Sequence, residues 1–372
     1  MMMMIEKQNQ ESPINLHIKP INIPTPPSKM KTAFDSNIPQ VQSQISSTKN
    51  KESPTDIKSI IQKHYIPIWE NFEILDNIGS GSESIVNKAM HKKSKKEFAL
   101  KYIKNKDEKR NLNELKIALK LKHENIIRFL SYSCSKQDKS EVILMESAKF
   151  GNLRNFQLKS LKRQVLSESL LCYFANEILK GLLFCHRNKV AHMDLKPQNV
   201  VIDDYLHAKL IDFSISVNYN DKNLRDKIKL SFKGTKFYMP LEIINSKTIE
   251  YRDINKVDAY ALGVMLYNLA FGTYPYDINY EDNYDQINEK IKNNKLEIKN
   301  ENSYSKHFIN FIEKLLKKDI NERMSIYEAM NHYWIKGGQI LYDEKEKIFN
   351  IYSFITQLIT DNLKEFNDYL LK

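Results

Sequence analysis

Apolar and polar positions alternate in short runs from Phe72 onward: Phe72-Glu73-Ile74-Leu75, then Ile78-Gly79-Ser80-Gly81-Ser82-Glu83-Ser84-Ile85-Val86, then Phe98-Ala99-Leu100-Lys101-Tyr102-Ile103. A period of two is that of half-buried strands, and the short polar breaks between runs predict antiparallel pairing. One break carries Lys92, Lys93, Lys95 and Lys96 and reads as a solvated hairpin turn rather than a localisation signal. Over 107–122 the spacing lengthens, and Leu112, Leu115, Ile117, Leu119 and Leu121 give the apolar face of a helix. Two further strands are predicted over 126–132 and 141–146.

After Gly151 the pattern is mainly helical, with helices predicted over 170–187, 257–271, 284–293, 307–317 and 325–332. A small antiparallel β lobe with one helix, followed by a larger helical lobe, is an α+β organisation with a natural ligand cleft between lobes. The predicted boundaries are 66–149 for the small lobe and 150–335 for the large one. Residues 1–65 lack periodicity, are rich in Gln, Asn, Ser, Thr, Lys and Pro, and read as a disordered tail. Their Ser12-Pro13, Thr25-Pro26 and Ser53-Pro54 pairs are no more than chance supplies. Residues 336–372 form an extension in which Ile348, Ile351, Ile355, Leu358, Phe366 and Tyr369 recur near helical spacing, predicting a helix over 344–371. Its mixed charges favour docking on the large lobe or on a partner over a basic calmodulin-type target.

Composition changes this picture little. The 372 residues carry a formal charge of +11, but lysines are scattered among acids and no aromatic-interleaved basic stripe appears, so no nucleic-acid partner is expected. Three cysteines, Cys134, Cys172 and Cys185, show neither even count nor metal-site spacing and suit a reducing compartment. The four opening Met residues precede polar sequence, and no apolar run is long enough to span a membrane. An intracellular protein, cytoplasmic or nuclear, is expected.

The chemistry concentrates in His192-Met193-Asp194-Leu195-Lys196-Pro197-Gln198-Asn199, flanked by short apolar runs. A carboxylate that accepts a hydroxyl proton, a cation that neutralises a phosphate oxygen and an amide that holds a divalent metal share one loop. That is what phosphoryl transfer to an alcohol requires. The loop resembles the catalytic loop of eukaryotic protein kinases, with Met193 in place of the usual Arg. The resemblance extends over about residues 72–335 and implies the two-lobed protein-kinase-like fold, an ATP substrate, Mg2+ and protein substrates. Lys-Pro after Asp-Leu resembles the serine/threonine type.

Residue by residue, the resemblance makes Asp194 and Lys196 catalytic, and Asn199 and Asp212 metal ligands. Asp212-Phe213-Ser214 stands for Asp-Phe-Gly. Ile78, Gly79, Gly81, Val86 and Ala99 would line the nucleotide site, with Ser84 replacing a third loop glycine. Lys101 would take the α- and β-phosphates and pair with Glu114. Met145, Glu146 and Ala148 would form the adenine-binding hinge, and Val201 would close the site from below. Gly234-Thr235-Lys236-Phe237-Tyr238-Met239-Pro240-Leu241-Glu242 resembles the peptide-positioning segment, with Glu242 pairing with Arg323 and Asp258 bracing the catalytic loop.

Two functions fit: an active serine/threonine kinase, or a pseudokinase acting as a nucleotide-binding scaffold. Met193, Ser84, Ser214 and Pro240-Leu241 lean to the scaffold. The intact Lys101, Glu114, Asp194, Asn199 and Asp212 favour the enzyme. Asn152 and Gln198 stand where arginine-preferring relatives carry acids, so little preference for upstream arginine is expected. Met193 cannot pair with a phosphate, so phosphorylation of Ser231 or Thr235 is not expected to be an obligatory on-switch.

Overall fold

The computed structural model describes residues 68–81, 84–104, 108–134, 141–160, 165–219, 227–229, 234–298 and 303–341. The predicted tail (1–65) and C-terminal helix (344–371) lie outside the described residues, as does Ser231.

A single turn, α1 (Ile68–Asn71), enters a five-stranded sheet of β1 (Phe72–Ser80), β2 (Ser84–His91), β3 (Glu97–Ile103), β4 (Phe129–Cys134) and β5 (Glu141–Glu146). The order is β1-β2-β3-β5-β4, and every neighbouring pair is antiparallel. The lysine-rich turn closes through the Lys95 amide on the His91 carbonyl at 2.8 Å, with all four lysines exposed. Helix α2 (Glu108–Lys120) lays Leu115 and Leu119 against Tyr132, Ile143 and Met145 of the sheet. That packing gives the helix most of its stability, since an isolated helix of this length is marginal.

The strand predicted over 126–132 is displaced. Ile126 forms only an isolated bridge with Leu210, and the Ile127 amide donates to the Leu210 carbonyl at 2.9 Å. The side-chain amide of the fully buried Asn125 reaches Glu177 at 2.7 Å and the Ala208 carbonyl at 3.0 Å. The chain after α2 therefore satisfies its backbone on the helical lobe, and pairing with β5 begins at Phe129.

The large lobe holds α3 (Leu153–Asn155), α4 (Glu168–Arg187), α5 (Leu241–Ile244), α6 (Asn255–Phe271), α7 (Tyr284–Asn293), α8 (Lys306–Leu315), α9 (Ile326–Met330) and α10 (Tyr333–Leu341). Helix α6 is buried from Val257 to Ala270, as expected of a helix apolar on every side. A β-carbon on Gly263 would stand 2.9 Å from the Leu315 β-carbon, so its absence lets α6 and α8 touch. Helix α9 is shorter than 325–332 because Ser325 caps it, in a capping box with Glu328.

Two ribbons aim the loops of the cleft. β6 (Val190–Ala191) pairs with β9 (Val217–Asn218), and β7 (Val200–Ile202) pairs with β8 (Ala208–Leu210). Between these strands run residues 192–199 and 211–216, held side by side. A third ribbon, β10 (Lys227–Lys229) with β11 (Thr248–Glu250), lies beyond them.

Candidate active site

Lys101 sits on β3, opposite Val86 of β2 and Ile143 of β5. Its ammonium bonds Glu114 of α2 at 2.5 Å and Asp212 of the 211–216 loop at 2.9 Å. Burial alone would lower the Lys101 pKa, but the Glu114 and Asp212 charges outweigh it and hold the group above the ordinary lysine value. Burial likewise works to raise the Asp212 carboxyl. Lys101 overrules it and, with a hydrogen bond from Ser214, pulls the carboxyl down to about 2. Asp212 has a φ of 65°, a left-handed backbone that a non-glycine residue adopts only when its surroundings compel it.

Asp194 is held at both oxygens. One accepts the Thr235 amide at 3.0 Å and hydroxyl at 2.8 Å; the other accepts Lys196 at 2.7 Å and the Asn199 amide at 3.0 Å. Lys196 also donates to the Thr235 hydroxyl at 2.6 Å. The Ile211 amide donates to the Asn199 carbonyl at 3.0 Å, which places Asp212 beside Asn199. An amide oxygen and a carboxylate are hard donors, suited to a divalent cation that keeps several water or phosphate ligands, as Mg2+ does. Among the described residues no cluster of three or more His, Cys, Asp or Glu forms a closed protein cage.

Asp258, fully buried on α6, receives the amides of His192 at 2.9 Å and Met193 at 2.8 Å, and His186 at 2.7 Å. Burial pushes its carboxyl up, but the His186 hydrogen bond and charge and the Met193 amide bring it below the usual carboxylate range. His192 contacts the Ile211 carbonyl through Nε2 at 2.9 Å and receives the Asp194 amide at Nδ1 at 3.3 Å. A carbonyl only accepts, so Nε2 carries the proton and the ring bridges the two loops.

Met193 has a φ of 69° and packs on an apolar cluster that includes Ala191, Met239, Ile243 and Val257. The Gly234 backbone passes so near that a β-carbon there would lie 3.1 Å from the Met193 carbonyl. At the end of the segment the buried Arg323 and Glu242 form a two-pronged pair, with contacts of 2.5 and 3.1 Å.

Around the predicted nucleotide site, β-carbons on Gly79 or Gly81 would meet nothing closer than 3.8 Å, so both leave the loop's surroundings open. Ile78 is exposed, Val86 half-buried and Ala99 buried. Met145 pairs with Ala99 across β3 and β5, while the Glu146 side chain is tied to Lys209 at 3.1 Å. The Ala148 carbonyl accepts from Gly151, and Val201 bridges Asn152 from β7. The structure thus brings Lys101, Glu114 and Asp212 into one hydrogen-bonded string and Asp194, Lys196 and Asn199 into another. Val86 lies beside the first string, as the cross-strand neighbour of Lys101 on β2. Sequence reasoning did not find the Ser214 hydrogen bond to Asp212 or the His192 bridge. The signal for the first was the departure from glycine itself.

Residues 72–335 match the sequence model of the family described as "Protein kinase domain". The chain is 30% identical over 293 residues to NUAK family SNF1-like kinase 1 of Homo sapiens, covering 77% of this chain and 41% of that protein. It is 31% identical over 285 residues to the SNF1-related protein kinase catalytic subunit alpha KIN12 of Arabidopsis thaliana, covering 74% and 54%. To an Aurora kinase of Candida albicans it is 31% identical over 292 residues, covering 72% and 52%. The chain spans about half or less of the length of these curated relatives.

Proposed function

The chain belongs to the protein kinase family, and on that premise we propose that it transfers the γ-phosphate of Mg2+-bound ATP to serine or threonine hydroxyls of proteins. The observation that carries this reading is Asp194, fixed at both oxygens by Thr235, Lys196 and Asn199, beside an Asp212 fixed by Lys101. Positioning and charge stabilisation supply most of the catalysis in phosphoryl transfer. Both demand side chains held before the substrates arrive.

Asp194 orients the acceptor hydroxyl and takes up its proton. Lys196, already beside Asp194, offsets charge on the transferred group. Lys101 holds nucleotide phosphates, and Glu114 fixes its aim. Asp212 and Asn199 would hold Mg2+, which when bound neutralises phosphate charge. The hinge backbone at Glu146 and Ala148 would take the adenine, with Met145 behind it. Ile78, Gly79, Gly81, Val86, Ala99 and Val201 would enclose the nucleotide.

The test is radiolabelled phosphate transfer by the purified full chain to a broad protein and peptide panel, beside an Asp194→Asn control. Transfer by the wild type and its loss in the control are expected. Equal background signal from both would overturn the activity and favour the nucleotide-binding scaffold.

A further inference from the structure

Three cations gather around the acceptor side of Asp194. Lys196 touches it directly. Helix α3 packs directly on Pro197–Asn199 and carries Arg154, whose guanidinium is close enough to the buried Tyr238 phenol to influence it, as is Asp194. Arg154 donates to Gln157 at 2.8 Å, and Lys236 to the carbonyls of Tyr280 and Asp282 at 3.0 and 2.8 Å. Neither Arg154 nor Lys236 forms an ion pair among the described residues. The carboxylate of Asp282 bonds Lys290 at 2.7 Å, and the nearby Lys236 charge helps to hold it below the ordinary carboxylate range. The acceptor side therefore carries two cations, Arg154 and Lys236, that no acid among the described residues holds at ion-pair distance.

The same segment carries an aromatic face. Phe237, two residues beyond Thr235, stacks on Tyr274 with ring centroids 4.7 Å apart, and Tyr280 meets Phe237 edge-on at 5.3 Å. Tyr274 is buried beneath, whereas Tyr280 is 63% exposed. The Lys236 ammonium lies over the Phe237 ring at 4.6 Å. An extended peptide covers about 3.3 Å per residue, so a chain presenting its hydroxyl to Asp194 sets its neighbouring side chains over this surface. Exposed tyrosine on a rigid aromatic base is a favoured anchor for an apolar partner group, and arginine is the preferred fork for a carboxylate.

We propose that the acceptor groove selects acidic peptides: the hydroxyl-bearing residue is flanked by a large apolar or aromatic side chain seated on Tyr280 and Phe237, and by a carboxylate held by Arg154. This rests on the kinase reading above and deepens it by naming the substrate class. Charge complementarity of this kind discriminates as much by repelling the wrong partner as by holding the right one. A basic peptide would meet Arg154 and Lys236 with like charge.

The experiment uses the purified full chain and four serine peptides: aromatic or alanine neighbour, each with Glu or Arg flanks. A mixed serine/threonine peptide pool runs beside them. The aromatic acidic peptide is expected to exceed the alanine–arginine peptide about tenfold or more in kcat/KM. Arg154→Ala should collapse the Glu-over-Arg ratio, and Tyr280→Ala the aromatic-over-alanine ratio, each through KM. Arg154→Lys should restore part of the charge preference. Those ratios are internal to each variant, so a general loss of fold would not mimic them. Preference for the arginine peptides, or ratios unmoved by both substitutions, would overturn the inference while leaving the activity standing. No transfer to any peptide or to the pool would overturn the activity reading, and this inference with it.

Discussion

Thr235 gives both its amide and its hydroxyl to a single oxygen of Asp194, at 3.0 and 2.8 Å, while its own oxygen accepts Lys196 at 2.6 Å. The residue after Gly234 in the proposed peptide-positioning segment is therefore part of the scaffold that holds the Asp194 carboxylate. A phosphate on that oxygen would replace the hydrogen-bond donor facing Asp194 with negative charge. Thr235→Ser is expected to keep most activity, and Thr235→Ala to lose about tenfold or more from removal of charge-assisted hydrogen bonds. Thr235→Glu should be lower still. Steady-state phosphate transfer checks the order, and a Glu variant more active than the Ala variant would refute it.

Met193 stands where the sequence resemblance leads one to expect an arginine, and the structure gives it an apolar role. It packs on the cluster of Ala191, Met239, Ile243 and Val257, alongside Val217 and Tyr251. An arginine at 193 would bring a cation and its desolvation cost into that cluster, so Met193→Arg should destabilise the fold by about 2 kcal/mol. Met193→Leu should cost less than about 1.5 kcal/mol. Denaturant unfolding monitored by tryptophan emission measures both. Because the segment docks here by packing, Ser231→Ala is expected to retain activity. Abolished activity, restored by Ser231→Glu, would contradict that.

The two-lobed architecture was legible because each element announces itself locally: alternation in β1 to β3, helical period in α2, and the apolar run from Ala259 to Tyr267 in α6. The groups that meet at Asp194 were legible for a related reason, since Asp194, Lys196 and Asn199 lie within six residues of one another. What the sequence hid depends on chain segments far apart. Ile126 reads as strand, yet its amide turns back to the His123 carbonyl, while the flanking Asn125 carbonyl and Ile127 amide bond Leu210, a partner that only the folded helical lobe supplies. Ser214 reads as a lost glycine, and only the left-handed turn at Asp212 brings its hydroxyl to that carboxylate. Arg154 looks like one more charge on a helix until α3 is seen to pack on Pro197–Asn199, beside Asp194.

Asp212 links stability to acid. Its carboxyl is held at about 2 in the folded chain against an ordinary 3.8, chiefly by Lys101 working against burial. A folded-state value below the unfolded one means stabilisation that is fully present above the ordinary carboxylate range. It is lost as pH falls from about 4 toward 2. The melting-temperature gap between wild type and Asp212→Asn should therefore be widest near neutral pH and narrow across that window. A gap constant from pH 6 to pH 2 would show that Lys101 does not hold the ionised form.

The pair of Glu242 and Arg323 joins the start of α5 to the loop before α9, and every arginine nitrogen is engaged. Nε bonds the Lys317 carbonyl at 2.9 Å, one terminal nitrogen bonds Glu242 and the Lys256 carbonyl, and the other bonds Glu242 and the Lys318 carbonyl. The guanidinium also lies over the Tyr260 ring at 4.9 Å. Lysine cannot reproduce that fork, so Arg323→Lys should be damaging despite keeping the charge. Arg323→Ala leaves Glu242 buried without its partner and should cost about 3–5 kcal/mol. The double variant Glu242→Leu with Arg323→Leu removes both charges, so it should lose much less than the two single changes summed. Glu242 closes the segment that contains Thr235, so the single changes should also lower phosphate transfer well below their melting temperatures, by loosening Asp194. Additive stability losses in the double variant would mean that the two residues act separately, and full activity in folded Arg323→Ala would mean that the pair does not reach the site.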